Sequence, residues 1–398
     1  MRRRDFLKAL PAVAVVPRLL GARIKITDIR VLRLRTIKEV GSFQGYLGPA
    51  DIQRVRIGGG SFVEVHTDQG LVGIGPGMDP AQLPSLKAQL VGRDPFDIEA
   101  LVAAMRAVQG IAVAGSPLGA FSAVEIALWD IVGKASNQPL YKLWGAAKDR
   151  VPPYASQMRL STPEERAHLA AQLKSEGWRA IKYRSHFPTF KEDIRLVEAA
   201  RKAVGDEMDI MCDANQATNG FLTPSVTWDF RRAVETARAY QQLNVYWLEE
   251  PLPRFDFDQL AELNRLVEIP IAGGEGNHGL HEFRWLLEKR CFDIVQPEVL
   301  LEGPQELRKI AVLAESMNKQ CVPHVGDGGL ATICNLHLVA SWPNSPYLEV
   351  YHDLPMREYS NGFAIFEEPP ILDQAGYLNV PQKPGLGVSI NKDLILSA

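Results

Sequence analysis

The stretch of sequence that decides the fold is VYWLEEPLPRFDFDQLAELNRLVEIPIAGGEGNHGLHEFRWLLEKRCFDIVQPE, residues 245–298. It contains three short apolar runs, and a segment of helical length separates each run from the next. This alternation is typical of parallel strands joined by crossover helices. Each run also leads to a carboxylate, at Glu249, Glu275 or Glu298. The stretch therefore predicts a parallel sheet with acidic side chains along one edge.

The same alternation continues on both sides of this stretch, after residue 150 and up to residue 353. The predicted strands end near Ser156, Lys182, Asp213, Glu249, Gly274, Gln296, Pro323 and Glu349. Successive ends are 26, 31, 36, 25, 22, 27 and 26 residues apart, which leaves room for a strand, a crossover helix and two loops. Eight such units in succession predict a closed parallel barrel of the α/β class rather than an open sheet.

The first 150 residues show a different pattern. Residues 24–35 and 61–66 alternate apolar and polar side chains, which predicts antiparallel strands. Residues 84–109 and 116–134 have helical periodicity. The run Gly58-Gly59-Gly60 does not open a helix with the spacing of a dinucleotide-binding loop, so it is interpreted as a turn. This part of the chain is therefore expected to be α+β.

The composition is that of a globular protein, with 398 residues, 46% hydrophobic, 23% charged and a formal net charge of -3. Nothing in this charge indicates a surface that attracts nucleic acid or holds the protein stably at a membrane, so a small molecule is the expected partner. The four cysteines, at positions 212, 291, 321 and 334, lack the paired spacing of a zinc site or a disulfide framework. We expect four buried thiols.

Residues 1–22 differ from the rest of the chain. Arg3-Arg4-Asp5-Phe6-Leu7-Lys8 precedes the apolar run 9–16, a pattern that predicts a twin-arginine export signal and a periplasmic or exported protein. Pro17 and Arg18 interrupt the apolar stretch, so a basic N-terminus on a cytoplasmic protein is the alternative.

Ionisable residues stand at most of the predicted strand ends. The C-terminal ends of the strands in such a barrel converge on one site. Asp213, Glu249 and Glu275, on three consecutive strands, would repel one another unless a cation lay between them. An all-oxygen shell of this kind favours a hard divalent ion, most simply one Mg²⁺ per active site. Any one of the three, taken alone, is also explained as a solvated carboxylate or a helix N-cap.

The sequence resembles the enolase superfamily, in its mandelate racemase and muconate lactonizing branch, through SAVEIALWDIVGK at 122–134, QPLYKLWG at 138–145 and the ordered strand-end residues. The resemblance implies an N-terminal α+β capping domain over a modified TIM barrel, (β/α)₇β, and a homo-oligomer. It implies Asp213, Glu249 and Glu275 as metal ligands, with Glu250 as a neighbour. The expected division is 1–22 signal segment, 23–148 capping domain, 149–353 barrel and 354–398 a segment that packs on the capping domain.

Four further strand-end residues receive roles in removing a proton next to a carboxylate. Lys182 would stabilise the developing enediolate together with the metal. His324 would be the general base, held by Glu298, which stands where the family usually has Asp and is one methylene longer. Glu349 resembles a position that donates a hydrogen bond to the substrate, which requires a raised pKa; a salt bridge at the barrel rim is the alternative.

The residue type at position 184 helps to decide which reaction the protein catalyses. Many relatives place a second lysine there as the base on the opposite face of the substrate, whereas arginine stays protonated. A dehydratase needs only one base, and protonated His324 can return its proton to the departing hydroxyl. We therefore expect a lyase that dehydrates an acid sugar to a 2-keto-3-deoxy acid. A racemase, epimerase or cycloisomerase, with His186 or a capping-domain group as second base, and a catalytically silent exported binding protein are the alternatives.

Substrate contacts are expected from the capping domain and from polar groups near the strand ends. Residues 38–51, with Tyr46 among glycines, form the candidate lid. Asn215, His186 and His352, together with Arg184, would offer hydrogen bonds to several hydroxyls, which suits a sugar acid better than an apolar substrate.

Overall fold

The computed structural model describes residues 23–48, 50–109, 120–217, 226–326 and 328–396. The predicted export segment, residues 1–22, lies outside the described residues. Within the described ranges, none of the helices combines the length and the apolar character that crossing a bilayer requires.

The N-terminal part is α+β, as its two sequence periodicities predict. Its strands are β1 Ile26–Arg33, β2 Thr36–Gln44, β3 Ile52–Gly58, β4 Ser61–Thr67 and β5 Val72–Pro76, and its helices are α1 Leu83–Leu90, α2 Ile98–Gln109, α3 Ala120–Ala135 and α4 Leu140–Leu143. Strands β1, β4 and β5 form an antiparallel sheet in the order β1-β4-β5, and β2 pairs with β3 as a separate antiparallel hairpin. The hairpin covers most of the segment predicted as a lid.

Helix α3 is the central element of this domain, and nearly all of its side chains are buried. It packs so closely on β5 that a Cβ at Gly73 would collide with the carbonyl oxygen of Ala127, and one at Gly75 with that of Ala123. The single helix expected over residues 84–109 is wrong: α1 and α2 are separate. Val91, the C-cap of α1, has extended backbone, and Gly92 after it has a φ of 85°, so the chain leaves the helix there.

The barrel follows with eight strands and seven intervening helices. The strands are β7 Pro153–Ser156, β8 Ala180–Arg184, β9 Asp209–Asp213, β10 Leu248–Glu249, β11 Ile271–Gly273, β12 Ile294–Val295, β13 Gln320–Cys321 and β14 Leu348–Tyr351; the helices are α5 Pro163–Ser175, α6 Phe190–Val204, α7 Phe230–Gln242, α8 Phe257–Leu266, α9 Gly279–Glu288, α10 Val299–Ser316 and α11 Leu330–Ser341. One short strand, β6 Arg150–Val151, precedes them. All eight are parallel, in the order β13-β12-β11-β10-β9-β8-β7-β14. The amide of Cys321 donates to the carbonyl of Asn344 (3.1 Å), which joins β13 to the segment before β14.

The interior of the barrel is filled beneath the strand ends. Tyr154, Met211, Trp247, Ala272 and Val322 pack together there and are fully buried. A second, larger core lies between the strands and the surrounding helices. All four cysteines are buried and unpaired, as their spacing predicts. The filled interior leaves the functional side chains at the C-terminal mouth of the barrel.

The C-terminal segment returns to the capping domain. It contains α12 Tyr359–Phe363 and β15 Leu378–Asn379, and β15 pairs with β6. The amide of Leu386 donates to the carboxylate of Asp130 in α3 (2.8 Å), and Ile395 forms an antiparallel bridge with Leu34. The segment therefore links the barrel to both layers of the capping domain.

Candidate active site

Three carboxylates meet at the mouth of the barrel. Asp213 and Glu249 are the last residues of β9 and β10 and are paired in register, and Glu275 follows β11 by two residues. One oxygen from each lies within 4.8 Å of the others. Asp213 and Glu249 are fully buried, and the Glu275 side chain is 21% exposed. Burial and the charge of Glu249 raise the pKa of Asp213 to about 8.

Lys182 lies at the centre of this cluster, from the interior face of β8. Its ammonium is 2.9 Å and 3.0 Å from the two carboxylate oxygens of Glu249, 2.9 Å from Glu349 and 3.6 Å from Asp213. Burial alone would lower the pKa of Lys182, but Glu249 and Glu349 raise it well above its usual value. The lysine is therefore a fixed cation at the floor of the site.

Glu349 differs from the expectation of a raised pKa. Burial favours the protonated acid, but the ammonium of Lys182 and the nearby His324 lower the pKa of Glu349 to about 2. The amide of Val325 also donates to Oε2 of Glu349 (3.2 Å). Glu349 is thus an ionised acceptor in a buried ion pair, and the prediction that it donates a hydrogen bond is wrong for this arrangement.

Arg184 is held by several groups at once. Its guanidinium pairs with Asp213, donates to the carbonyl of Gln157 (3.0 Å) and lies 4.6 Å from the ring centre of Tyr46 in the β2–β3 hairpin. Asn215, with φ of 47°, accepts from Arg184 (3.2 Å) and donates to Asp213 (3.1 Å). The structure therefore brings Arg184, Asn215 and Tyr46 to the site, and the Asn215 amide is engaged with Asp213 and Arg184.

His324 and Glu298 form a close pair. Nδ1 of His324 is 2.6 Å from Oε2 of Glu298, while Nε2 faces Glu275 at 3.2 Å. The other carboxylate oxygen of Glu298 accepts from the amide of Leu300 (2.9 Å) at the start of α10. The longer glutamate side chain therefore makes a tight contact. Burial lowers the pKa of His324, but Glu275 and Glu298 outweigh it and raise the pKa to about 10.

Two of the predicted substrate contacts lie elsewhere. His352 follows β14 on its outer face, where its ring packs on Trp178 (4.6 Å between ring centres) and its Nδ1 accepts from the amide of Tyr359 (3.1 Å). His186 donates from Nδ1 to the carbonyl of Arg184 (2.9 Å) and stacks on Phe187. Burial lowers the pKa of each histidine to about 4. The prediction that His352 contacts substrate is wrong, because strand alternation turns it outward, and His186 makes no described hydrogen bond to the carboxylate cluster.

Two residues of the site were missed. The indole nitrogen of Trp247 and the amide of Gln296 both donate to Oε2 of Glu249, at 3.1 Å and 2.8 Å. Trp247 is two residues before Glu249 and thus on the same face of its strand. That periodicity could have identified Trp247, whereas the contact of Gln296 depends on the neighbouring strands.

The three carboxylates fit a divalent cation. All of their donor atoms are oxygens, the kind that Mg²⁺ prefers, and they lie close enough to share one ion. Oε2 of Glu275 is buried and accepts no hydrogen bond from the described residues. Asp213, Glu249 and Glu275 are thus the residues that could hold a metal.

Fold and site together define a capped (β/α)₇β-barrel protein with a cluster of carboxylates and a histidine-carboxylate pair at its mouth. Residues 165–394 match the family model for the enolase C-terminal domain-like fold, and residues 59–145 match that for the mandelate racemase / muconate lactonizing enzyme N-terminal domain. The chain belongs to the enolase superfamily, in its mandelate racemase and muconate lactonizing branch.

Its relatives include both dehydratases and cycloisomerases. Arabinonate dehydratase of Saccharolobus solfataricus is 33% identical over 82% of this chain and 87% of its own length. D-galactarolactone cycloisomerase of Agrobacterium fabrum is 31% identical over 84% of this chain and 89% of its own. The structure of D-glucarate dehydratase from Agrobacterium tumefaciens, complexed with magnesium, superposes with a TM-score of 0.79 at 26% identity, covering 94% of this chain and all of the other.

Proposed function

We propose that this enzyme is a Mg²⁺-dependent lyase that dehydrates an acid sugar to a 2-keto-3-deoxy acid. The observation that carries the proposal is the placement of one imidazole, tied to Glu298 through Nδ1, at the edge of a cation-ready carboxylate cluster. The position that would supply a second base holds Arg184, whose guanidinium is bound to Asp213. Dehydratases among the relatives support the same class of reaction.

Charge stabilisation comes first in the proposed mechanism, because removal of the α-proton leaves an enediolate with two negative oxygens. Mg²⁺ held by Asp213, Glu249 and Glu275 would supply positive charge beside the substrate carboxylate. Lys182 adds a second positive charge that is fixed in place before the reaction, and such fixed charges avoid the cost of reorganisation. Its contacts with Glu249 and Glu349 hold the ammonium in position.

His324 moves the proton. Glu298 holds Nδ1–H, which leaves Nε2 as the atom that takes the proton from C2. The electron pair of the broken C2–H bond then forms the C2–C3 double bond, and the C3–O bond breaks. Protonated Nε2 returns its proton to the departing oxygen, so water leaves, and the enol product tautomerises to the 2-keto acid. Glu275, which raises the pKa of His324, is itself a proposed ligand, so a bound cation would remove that contribution.

A racemase or epimerase needs a second base, and neither Arg184 nor His186 is placed to serve as one. Arginine stays protonated, and His186 makes no described hydrogen bond to the carboxylate cluster. A cycloisomerase remains the second candidate, because one relative carries that activity and the reaction also begins with proton removal.

Localisation and assembly are proposed from the sequence. The basic, then apolar, character of residues 1–22 supports export of the folded protein to the periplasm, and the family resemblance supports a homo-oligomer. Cell fractionation of the full chain, with an Arg3→Lys, Arg4→Lys variant as control, tests the first. Size-exclusion chromatography with light scattering tests the second.

The proposed activity is tested with purified protein, Mg²⁺ and a panel of mono- and dicarboxylic acid sugars, with detection of the 2-keto acid product. We expect turnover of at least one acid, its loss on removal of divalent ions by a chelator, and a decrease in kcat of about 10²-fold or more in His324→Asn. Full activity of His324→Asn on that acid would contradict the role of the histidine.

A further inference from the structure

A cleft of about 590 Å³ lies between the capping domain and the barrel. One wall is formed by β3 and the glycine turn after it, and the other by residues that follow β13 and β14. This volume is in the range that holds a small-molecule ligand. Arg54, Arg56 and Arg357 line the cleft. The positive charge of these side chains indicates which kind of ligand the cleft binds.

The cleft begins directly beside the candidate active site. Val325, which lines it, is the residue after His324, and Tyr351 lies two residues beyond Glu349 on β14. Two residues along a strand advance about 7 Å and return to the same face. That advance is comparable to the length of a short sugar-acid chain. A substrate whose carboxylate lies at Lys182 would therefore extend its far end toward Tyr351 and Arg357.

Among the described residues, Arg357 is a positioned cation without an anionic partner. Its guanidinium lies 4.4 Å from the ring centre of Tyr351, and Nη1 donates a hydrogen bond to the sulfur of Met158, at 3.6 Å. No carboxylate of the described residues is within 4.0 Å of it. Two backbone hydrogen bonds between Asp353 and Arg357, of 2.7 Å and 2.9 Å, fix the turn that carries it. The carboxylate of Asp353 is engaged by Arg166 instead.

The other charges of the cleft leave Arg357 available. Arg54 is exposed and forms no ion pair with the described residues, and Arg56 is 3.9 Å from Glu39. The acids on the lining, Asp79 and Glu358, are both exposed, and Asp79 caps the amide of Ala81 (2.9 Å). A half-buried guanidinium stacked on an aromatic ring is preorganised for bidentate binding of a carboxylate.

We propose that this cleft binds a second carboxylate at the end of the substrate remote from C2, with Arg357 as its main ligand and Arg54 closing over it from the hairpin. The substrate class is then a dicarboxylic sugar acid rather than a monocarboxylic one. This inference rests on the proposed dehydratase function and specifies its substrate.

The kinetic test uses a six-carbon aldarate and the aldonate that shares its configuration at C2 to C5. Wild-type enzyme is expected to prefer the aldarate in kcat/KM, and Arg357→Ala to reduce that preference about tenfold or more, through KM. The preference of Arg357→Lys for the aldarate should lie between those of the wild type and Arg357→Ala, because lysine keeps the positive charge but lacks the planar guanidinium. Arg231→Ala, an exposed arginine on α7, is the matched control and should leave the preference unchanged. An aldonate turned over as well as the aldarate would overturn the proposal.

A binding measurement separates this inference from the proposed reaction. Isothermal titration of both acids onto His324→Asn, with Mg²⁺ present, is expected to show tighter binding of the aldarate. The double variant His324→Asn, Arg357→Ala should lose that difference. If wild-type enzyme turns over no acid of the panel, the dehydratase function fails, yet the same binding difference would still support the cleft. Equal binding of the two acids overturns the cleft whatever the activity.

Discussion

At the scale of single residues, the site is a balance of buried charges. Each proposed ligand lies beside a protein cation: Asp213 contacts Arg184 and Lys182, Glu249 contacts Lys182, and Glu275 faces His324. Buried carboxylates are stable only when they are paired in this way. A divalent cation in this cluster must therefore compete with protein cations, and the easiest contact to exchange is that of Glu275, the most exposed ligand.

Replacement of Glu275 by glutamine tests the metal site with little disturbance of the buried pairs. We expect Mg²⁺ to raise the thermal unfolding midpoint of the wild-type protein, because a ligand that binds only the folded state stabilises it. In Glu275→Gln that increase should be lost, and the variant should unfold cooperatively without Mg²⁺ at a similar temperature. Circular dichroism melts with and without Mg²⁺ measure both effects, with exposed Glu367→Gln as control. An undiminished Mg²⁺ effect in Glu275→Gln would exclude it as a ligand.

The sequence predicted the positions of these residues better than their ionisation states. The ends of parallel strands converge, so Asp213 and Glu249 could be placed from spacing alone. The pKa of Glu349 could not, because it depends on an ammonium 2.9 Å away on another strand. His352 stands three residues beyond Glu349, so the alternation of side chains along a strand already places it on the opposite face, and this signal was overlooked.

At the scale of elements, the capping helix α3 supports the loop that carries Glu298. Ser122 donates to the carbonyl of Leu300 (2.8 Å), whose amide binds Glu298. Glu125 accepts from the amide of Gln305 (2.6 Å) where α10 is kinked at Gly303. Gly303 has φ of 74°, and a Cβ there would collide with the Glu125 carboxylate.

Glu125 should make the protein less stable as pH rises. Burial raises its pKa from 4.5, the ordinary value of a glutamate, to about 8 in the folded state, although Gln305 and Arg106 oppose the shift. Between these two values the unfolded chain ionises while the folded protein keeps the proton, so folding loses stability with rising pH. Glu125→Gln removes this dependence and retains an acceptor for Gln305.

We expect the stability of Glu125→Gln relative to wild type to increase between pH 5.5 and pH 8, by on the order of 2 kcal/mol. Urea unfolding at the two pH values measures the difference, with Glu367→Gln as control. A constant difference between wild type and variant would show that Glu125 ionises normally.

At the scale of the whole molecule, the capping domain and the barrel share one core. Phe62 and Ile74 of the capping sheet belong to the same buried cluster as the outer core of the barrel, and Leu386 and Leu394 of the C-terminal segment join it. The capping hairpin also reaches the site through Tyr46. The alternation of strands and helices predicted this architecture because each unit is local in sequence. The break between α1 and α2 was missed although Gly92 and Pro95, which both disfavour a continuous helix, stand between them.

A shared core predicts that the two domains unfold together. Differential scanning calorimetry of the protein without Mg²⁺ should show one transition, because separation of the domains would expose apolar surface on both. Two transitions well separated in temperature would show that the capping domain folds on its own and contributes to the site only by docking.

Removal of the proton next to a carboxylate, followed by loss of water, can be observed in D₂O. The enzyme with Mg²⁺ is incubated with the acid that it turns over, and ¹H NMR follows C2 and C3. We expect a 2-keto-3-deoxy product with deuterium at C3, and no product with His324→Asn. Deuterium at C2 of the acid or of its C2 epimer, without loss of water, would contradict dehydration.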